Sequence, residues 1–270
     1  MPELDKVFTG SIPAIYDEYL VPLIFEPYAA DIASRLKSLT HGQLLEVAAG
    51  TGVVTRAMAK ALPAAVDIVA TDLNPDMIKI GQARGTSRPV TWKPADVNAL
   101  PIADRSIDVV VCQFGVMFFP DKPHAFREMH RVLKPGGRLV FNVWDALPTN
   151  DFSHIVHETL AKVFPADPPK FLARTPYAYN RPLDITRDLV AGGFTSTPRF
   201  TTVRARSHSA SAADAARGIC QGTPIRAEIE ARDASKLEAA TDAAAAAIAA
   251  RFGHGAIDGH IQAVVVDVTA

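Results

Sequence analysis

Gln43-Leu44-Leu45-Glu46-Val47-Ala48-Ala49-Gly50-Thr51-Gly52 reads as a strand running into a glycine turn. Leu44 to Val47 is a short apolar run carrying one acid, and Val53 to Leu62 then has the spacing of a helix. Strand, glycine turn and helix open a βαβ unit, and the turn is where a ligand can touch backbone. Glycine, lacking Cβ, lets the chain turn sharply and lie close to a bound molecule. The helix N-terminus adds unpaired N–H groups that suit a carboxylate or phosphate.

Outward from this stretch the pattern repeats. Val66 to Asp72 is a second strand that ends in an acid, and Asn74-Pro75 starts a helix, asparagine as N-cap and proline in the first turn. Pro89 to Lys93 predicts a third strand leading to Asp96-Val97, and residues 98–106 a surface loop. Ile107 to Phe114 is β-branched enough for a fully buried parallel strand. Pro123 to Leu133 predicts a helix that Lys134-Pro135-Gly136-Gly137 stops by a glycine cap, and Arg138 to Trp144 a fifth strand. Strands and helices alternating at this period predict an α/β fold with a parallel, doubly wound sheet.

Before and after this core the rhythm differs. Residues 1–40 read as a helical lead-in broken at Pro22 and Pro27, either packed on the body or forming a lid with Tyr16 or Tyr19 facing a pocket. Beyond Trp144, helices are expected over Phe152–Phe164, Leu183–Gly193, Ser211–Ala231 and Ala234–Arg251, with a loop from Pro165 to Asn180. Strands are expected at Arg199–Ala210 and Gly259–Val268. Without a repeat or obvious linker, residues 1–270 read as a single domain: lid 1–40, core 41–145, and closing segment 146–270.

Composition narrows the function classes. Charged residues make up 21% of the chain and the formal net charge is −1, so a basic footprint for nucleic acid is absent. No secretory signal stands out, and no stretch reaches the roughly 18 apolar residues of a membrane span. Cys112 and Cys220 stand far apart and suggest buried thiols in a reducing, cytoplasmic setting. No residues show metal-ligand spacing.

The acids combine into a pattern. Asp72 can accept hydrogen bonds from both hydroxyls of a ribose, or simply cap a helix; Asp96 can accept from an exocyclic amine, or simply make a turn. Both fall at carboxyl ends of strands, where doubly wound sheets bind ligands. With Leu44 to Gly52, Asp72, Asp96-Val97 followed by Leu100-Pro101, Ile107 to Val110 and Leu133 to Gly137, the chain resembles the class I S-adenosylmethionine-dependent methyltransferases over residues 40–145. Asp96 through Phe119 looks most like the ubiquinone/menaquinone-type and related small-molecule enzymes of that family. One departure is Ala48, which stands where the family has its first loop glycine.

The resemblance implies a Rossmann-like seven-stranded sheet, mostly parallel, with Gly259 to Val268 antiparallel between the fifth strand and the strand near residue 200. It implies S-adenosylmethionine as cofactor and S-adenosylhomocysteine as product. Ala48, Gly50 and Gly52 would hold the methionine end, and Glu46 would support that loop or reach the ammonium. Asp72 would bind the ribose, Leu73 and Met77 would flank the adenine, and Asp96 and Val97 would hold its edge. Gln113 would lie beneath the sulfonium. The acceptor would be a small molecule methylated on an O, N or C atom.

No side chain is singled out as catalytic. His124, His130, His154 and His157 are the available bases, the first two expected to face solvent; Phe114, Met117 and Phe118 are candidate walls for an apolar acceptor or plain core. A nicotinamide-dependent oxidoreductase also uses a glycine turn and a second-strand acid, but it expects GxGxxG and no third glycine arrives here. A non-catalytic cofactor-binding protein on the same fold is the other alternative.

Overall fold

The structure, a computed structural model, describes Phe8 and residues 10–270. In chain order α1 (Ile12–Ile15), a π-helical stretch (Tyr16–Phe25) and α2 (Glu26–Arg35) precede β1 (Gly42–Val47). Then come α3 (Val53–Ala61), β2 (Val66–Asp72), α4 (Pro75–Arg84), β3 (Thr91–Pro94), β4 (Ile107–Gln113), α5 (Lys122–Val132) and β5 (Leu133–Trp144). The chain closes with α6 (Asp151–Val163), α7 (Phe171–Arg174), α8 (Pro182–Ala191), β6 (Arg199–Ser209), α9 (Ala212–Gln221), α10 (Ile225–Asp233), α11 (Leu237–Phe252) and β7 (Ile257–Thr269).

The strands form one seven-stranded sheet in the order β3-β2-β1-β4-β5-β7-β6. β1 to β5 pair in parallel. β7 runs antiparallel to β5: Gly136 N–H donates to Ala270 O, just past β7, at 3.1 Å, while Asp145 N–H, just past the end of β5, donates to Gln262 O, earlier in β7, also at 3.1 Å. It lies between β5 and β6, as the resemblance implies. Chain order reverses between β1 and β4, and at such a switch point the crevice outside the carboxyl ends of the strands is free to take a ligand.

Contacts gather the chain into two compact units interleaved along the sequence, where the sequence reads as one domain. The unit that holds the glycine turn comprises Tyr28–Val143, Tyr179–Val203 and Ala263–Ala270. Its core joins Ile32 of α2 and Leu36 just after it, Val54 and Met58 of α3, and Leu44, Val109, Val111 and Val140 of the sheet. Each side chain of this size contributes about 1.5–3 kcal/mol when fully buried. The helices begin where their caps dictate: Asn74 Oδ1 accepts from Asp76 N–H at 2.9 Å and Asp121 Oδ1 from His124 N–H at 2.9 Å.

The other unit comprises Met1–Pro27, Trp144–Ala178 and Arg204–Gln262. Within it α11 packs on α9 and α6, burying Ala240, Ala244 and Ile248, which recur every four residues down one side. Glu228, buried on α10, accepts from Lys170 N–H, Phe171 N–H and Arg174 Nη2, and so fastens α7.

Several expectations change. α5 ends at Val132 because Leu133 is already extended (φ −70°, ψ 138°), so Lys134 to Gly137 belong to β5 and are not a helix cap. Instead Lys134 Nζ reaches Asp108 Oδ1 and Oδ2, each at 2.8 Å. The segment expected as a helix over Ser211–Ala231 is two helices, parted at Gly222-Thr223-Pro224, since proline cannot donate the N–H a continuous helix needs. The loop expected from Pro165 to Asn180 contains α7. In the lead-in, Pro22 does not break the helix but sits inside the π-helical stretch, whose wider turn leaves room for its ring. Residues 1–7 and Thr9 of that lead-in lie outside the described residues.

Candidate functional site

All the residues expected to hold a ligand, Glu46 through Gln113, fall in the unit of Tyr28–Val143, at or just past the carboxyl ends of β1 to β4. Asp72 is their hub. Its Oδ2 accepts from Gly50 N–H at 2.8 Å, its Oδ1 from Asn74 N–H at 2.8 Å, and its carbonyl from Ala95 N–H at 2.9 Å. The carboxylate thereby ties together the loops that follow β1 and β2, and the main-chain carbonyl of the same residue adds the loop that follows β3. Burial pushes its pKa up, opposed by the N–H groups of Asn74 and Gly50. Each carboxylate oxygen retains a second lone pair with which to accept from a ligand hydroxyl.

The turn itself is left-handed at three residues: Ala48 (φ 55°), Gly50 (φ 57°) and Gly52 (φ 82°). Ala49 N–H is held by Thr71 O at 2.9 Å. Thr51 Oγ1, 1% exposed, meets no hydrogen-bond partner inside this turn. Gly52 leaves space for the indole of Trp92 on β3, whose ring a Cβ at residue 52 would strike. A Cβ at Gly81 of α4 would likewise come within 2.8 Å of that ring, so Trp92 plugs a slot between two glycines.

Glu46 is 1% exposed and accepts from Thr55 Oγ1 at 2.5 Å. Burial pushes its pKa up to about 8, against the lowering effect of the Thr55 hydroxyl, with the Asp72 charge adding to the rise. Burial thus favours the uncharged form of the Glu46 carboxyl. Thr55 stands where a dinucleotide-binding turn would have its third glycine, and its side chain fills that place, fully buried.

The remaining expected residues differ in what they present. Leu73 is 60% exposed beside Asp72, an apolar shelf open to a ring, whereas Met77 on α4 is buried. Asp96 lies exposed two residues beyond β3, accepting from Asn98 N–H at 2.8 Å and opening a turn, with Val97 half-buried next to it. Gln113 ends β4, buried and in register with Asn142 of β5. Phe114, next in the chain, takes a left-handed φ of 52° and packs its ring edge-on against Tyr28 at 5.3 Å. Phe114 and Met117 are buried.

His124 and His130 are half-buried rather than solvent-facing: His124 Nε2 contacts Asn98 O at 2.9 Å, and His130 stacks edge-on against Phe194. In the other unit Tyr16 packs against Phe25, and Arg217 lies over the ring of Tyr19. Among the described residues no cluster of His, Cys, Asp and Glu has metal-binding geometry. Nor is any helix among them long and apolar enough to cross a membrane. Sequence reasoning passed over Asn142, fully buried, although a lone amide inside Arg-Leu-Val-Phe-Asn-Val-Trp was the visible sign.

A family model described as a methyltransferase domain matches residues 45–141. The ubiquinone/menaquinone biosynthesis C-methyltransferase UbiE of Geotalea daltonii is 31% identical over 149 residues, 54% of this chain and 63% of the relative, so the chain spans less than two thirds of that protein. Among solved structures, an S-adenosylmethionine-dependent methyltransferase from Thermotoga maritima superposes with a TM-score of 0.54 at 15% identity, covering 96% of each chain. Phosphoethanolamine N-methyltransferase 2 of Haemonchus contortus, in complex with phosphomonomethylethanolamine and S-adenosylhomocysteine, gives 0.54 at 17% identity over 90% of this chain and 52% of that one. At these identities the two structures speak for the fold.

Proposed function

With residues 45–141 a class I S-adenosylmethionine-dependent methyltransferase domain, we propose that the chain transfers a methyl group from S-adenosylmethionine to an O, N or C atom of a small molecule. The observation that carries this reading is the Asp72 hub, which sets an acid for ribose hydroxyls directly against the glycine turn.

The residues present suit the cofactor. Asp72 would take the ribose hydroxyls and Leu73 one face of the adenine, with Asp96 and Val97 at its edge. The turn at Ala48, Gly50 and Gly52 would receive the methionine end, where the Thr51 hydroxyl lacks a partner and Glu46 can answer an ammonium. Met77, buried on α4, would flank the adenine with Leu73. Gln113 would lie near the sulfur.

The bound cofactor supplies a methyl carbon on a positively charged sulfur that leaves readily. An acceptor held in line with that carbon would supply the lone pair or carbanion for the new bond, and any proton on it would pass to water. The chain's task is alignment: holding the two reactants in line converts a bimolecular step into an effectively unimolecular one. A side-chain base is required only for an acceptor that is protonated at working pH. The two buried free thiols fit a reducing, cytoplasmic setting.

Calorimetric titration with S-adenosylmethionine and S-adenosylhomocysteine tests the reading. Binding is expected, and Asp72→Ala should weaken it at least a hundredfold. An affinity unchanged in that variant removes the ribose assignment, and no heat from the unaltered protein removes the cofactor.

A further inference from the structure

The unit that holds α6 and α7 contains a cavity of about 370 Å3, within the range of roughly 300–1,000 Å3 usual for small-molecule sites. Its walls come from residues 157–174, none of which belongs to the glycine turn. His157 and Ala161, four residues apart, share a face of α6. Pro168 and Pro169 add a rigid wall without N–H groups. Phe171 and Leu172 of α7 are buried, and Ala173 and Arg174, with Lys170 just before the helix, stay exposed along the rim. The loop and α7 are pinned from α10: Glu228 accepts from Lys170 N–H at 2.7 Å and from Arg174 Nη2 at 2.6 Å, and Arg232 donates to Asp167 O at 2.6 Å and to Pro168 O at 3.3 Å. A rim held in this way is preformed, so little ordering opposes binding.

The wall is hydrocarbon at two alanines and two prolines, and its charged groups are two cations with no acid. Glu228 already answers the Arg174 guanidinium, so the exposed Lys170 ammonium is the cation placed to meet an anion. His157 is half-buried, and its Nδ1 is shielded with no hydrogen-bond partner. Burial lowers its pKa, with His154 adding to the fall and Glu158 opposing it, which favours the neutral imidazole. A neutral imidazole carries one N–H and one lone pair, and a bare buried N–H is rarer than a bare buried acceptor. The proton therefore belongs on Nε2, the ring nitrogen that is not shielded. One ammonium and one ring N–H match the two oxygens of a carboxylate. A phosphate dianion would call for an arginine fork, and the fork of Arg174 is engaged by Glu228.

We propose that this cavity binds a small organic monoanion, an aromatic carboxylate whose ring lies on Pro168, Pro169 and the two alanines and whose carboxylate meets Lys170 Nζ and His157 Nε2. The site is separate in its residues from the Asp72 hub and does not depend on what that hub binds. A neutral isostere of the same shape keeps the apolar contact and loses the charged one, so the cavity discriminates by charge.

Calorimetric titration with 1-naphthoate and with its neutral isostere 1-naphthamide tests this, on the unaltered protein and on Lys170→Met, His157→Leu and Ala173→Phe. Naphthoate should bind about tenfold tighter than naphthamide, the worth of one charge-assisted hydrogen bond. Lys170→Met should remove that preference. Ala173→Phe, on the exposed rim, should fill the cavity and abolish binding of both. His157→Leu should weaken naphthoate yet melt no lower than the unaltered protein, because an unsatisfied buried nitrogen is replaced by hydrocarbon; a histidine with a purely structural role would lower the melting temperature. A crystal soaked with naphthoate should show its carboxylate within hydrogen-bond distance of Lys170 Nζ. No heat with naphthoate, equal affinity for the two isosteres, or binding undiminished in both Lys170→Met and Ala173→Phe overturns the proposal. Titration of the same samples with S-adenosylhomocysteine reports on the methyltransferase reading separately, so either can fail alone.

Discussion

The methyl group of Ala48 rests where a side chain on Gly115 would have to be: a Cβ built on Gly115 would lie 2.6 Å from Ala48 Cβ and 2.7 Å from Cys112 Sγ. The chain carries alanine where related turns have glycine, and the missing Cβ at residue 115 makes room for it. The same contact couples the turn after β1 to the bend after β4. Gly115→Ala should therefore destabilise the protein by about 1–3 kcal/mol, the usual cost of overpacking. It should also weaken S-adenosylhomocysteine binding by shifting the turn. Adding Ala48→Gly should restore part of both losses, with a coupling of about 1 kcal/mol in a double-mutant cycle. Strict additivity in melting and titration experiments would show that the two residues do not share this space.

Ala48 also bears its own strain, at φ 55°. A non-glycine residue in the left-handed region costs about 1–2 kcal/mol. Ala48→Gly alone should raise the melting temperature by about 2–4 °C, and calorimetry would detect a fall just as readily.

Trp92 supplies a reporter. Its ring fills the slot between Gly52 and Gly81, and the chain has only two tryptophans. In a Trp144→Phe background, cofactor binding at the turn should shift Trp92 emission. Gly81→Ala, which sets a Cβ 2.8 Å from the ring, should displace the indole and red-shift its emission without ligand. An unshifted spectrum in Gly81→Ala would mean that the slot has slack.

How much of this was legible in the sequence depends on the range of the forces involved. The parallel strands β1 to β5 follow from local alternation of apolar runs, caps and turns, and so could be read. The Asp72 assignment was also local, an acid at a strand end, but its bond to Gly50 joins residues 22 apart and needed the fold. Lys134 to Gly137 misled because glycine and proline after a helix suggest a cap; the partner that changes the meaning, Asp108, is 26 residues away.

Asp108 makes a sharp prediction about that motif. Its carboxylate accepts from Gln43 N–H at 2.8 Å and from Lys134, at the amino-terminal end of β4 and away from the turn. Burial would raise its pKa, but the Gln43 N–H and the Lys134 ammonium outweigh it and hold the group below the usual carboxylate range. Asp108→Ala should cost roughly 1–3 kcal/mol of stability through the unsatisfied Gln43 N–H and leave S-adenosylhomocysteine affinity unchanged. Weakened binding at full occupancy of the folded state would give Lys134 to Gly137 a part in the site.

Glu46 ties stability and binding to pH in the opposite sense. Its pKa is raised to about 8 by burial in the folded protein, against about 4.3 for an unfolded glutamate. Between those values the folded state holds a proton that the unfolded chain has lost, so stability falls as pH rises. The contribution is complete below the unfolded pKa and is lost as pH passes through about 8. Glu46→Gln should flatten this part of the melting-temperature profile. If the cofactor's ammonium comes beside Glu46, its charge should draw the proton off, and binding at pH 7 should release protons. Titrations of S-adenosylmethionine in buffers of different ionisation enthalpy would count them: release by the unaltered protein and none by Glu46→Gln is expected. Equal release by both would move the ammonium away from Glu46.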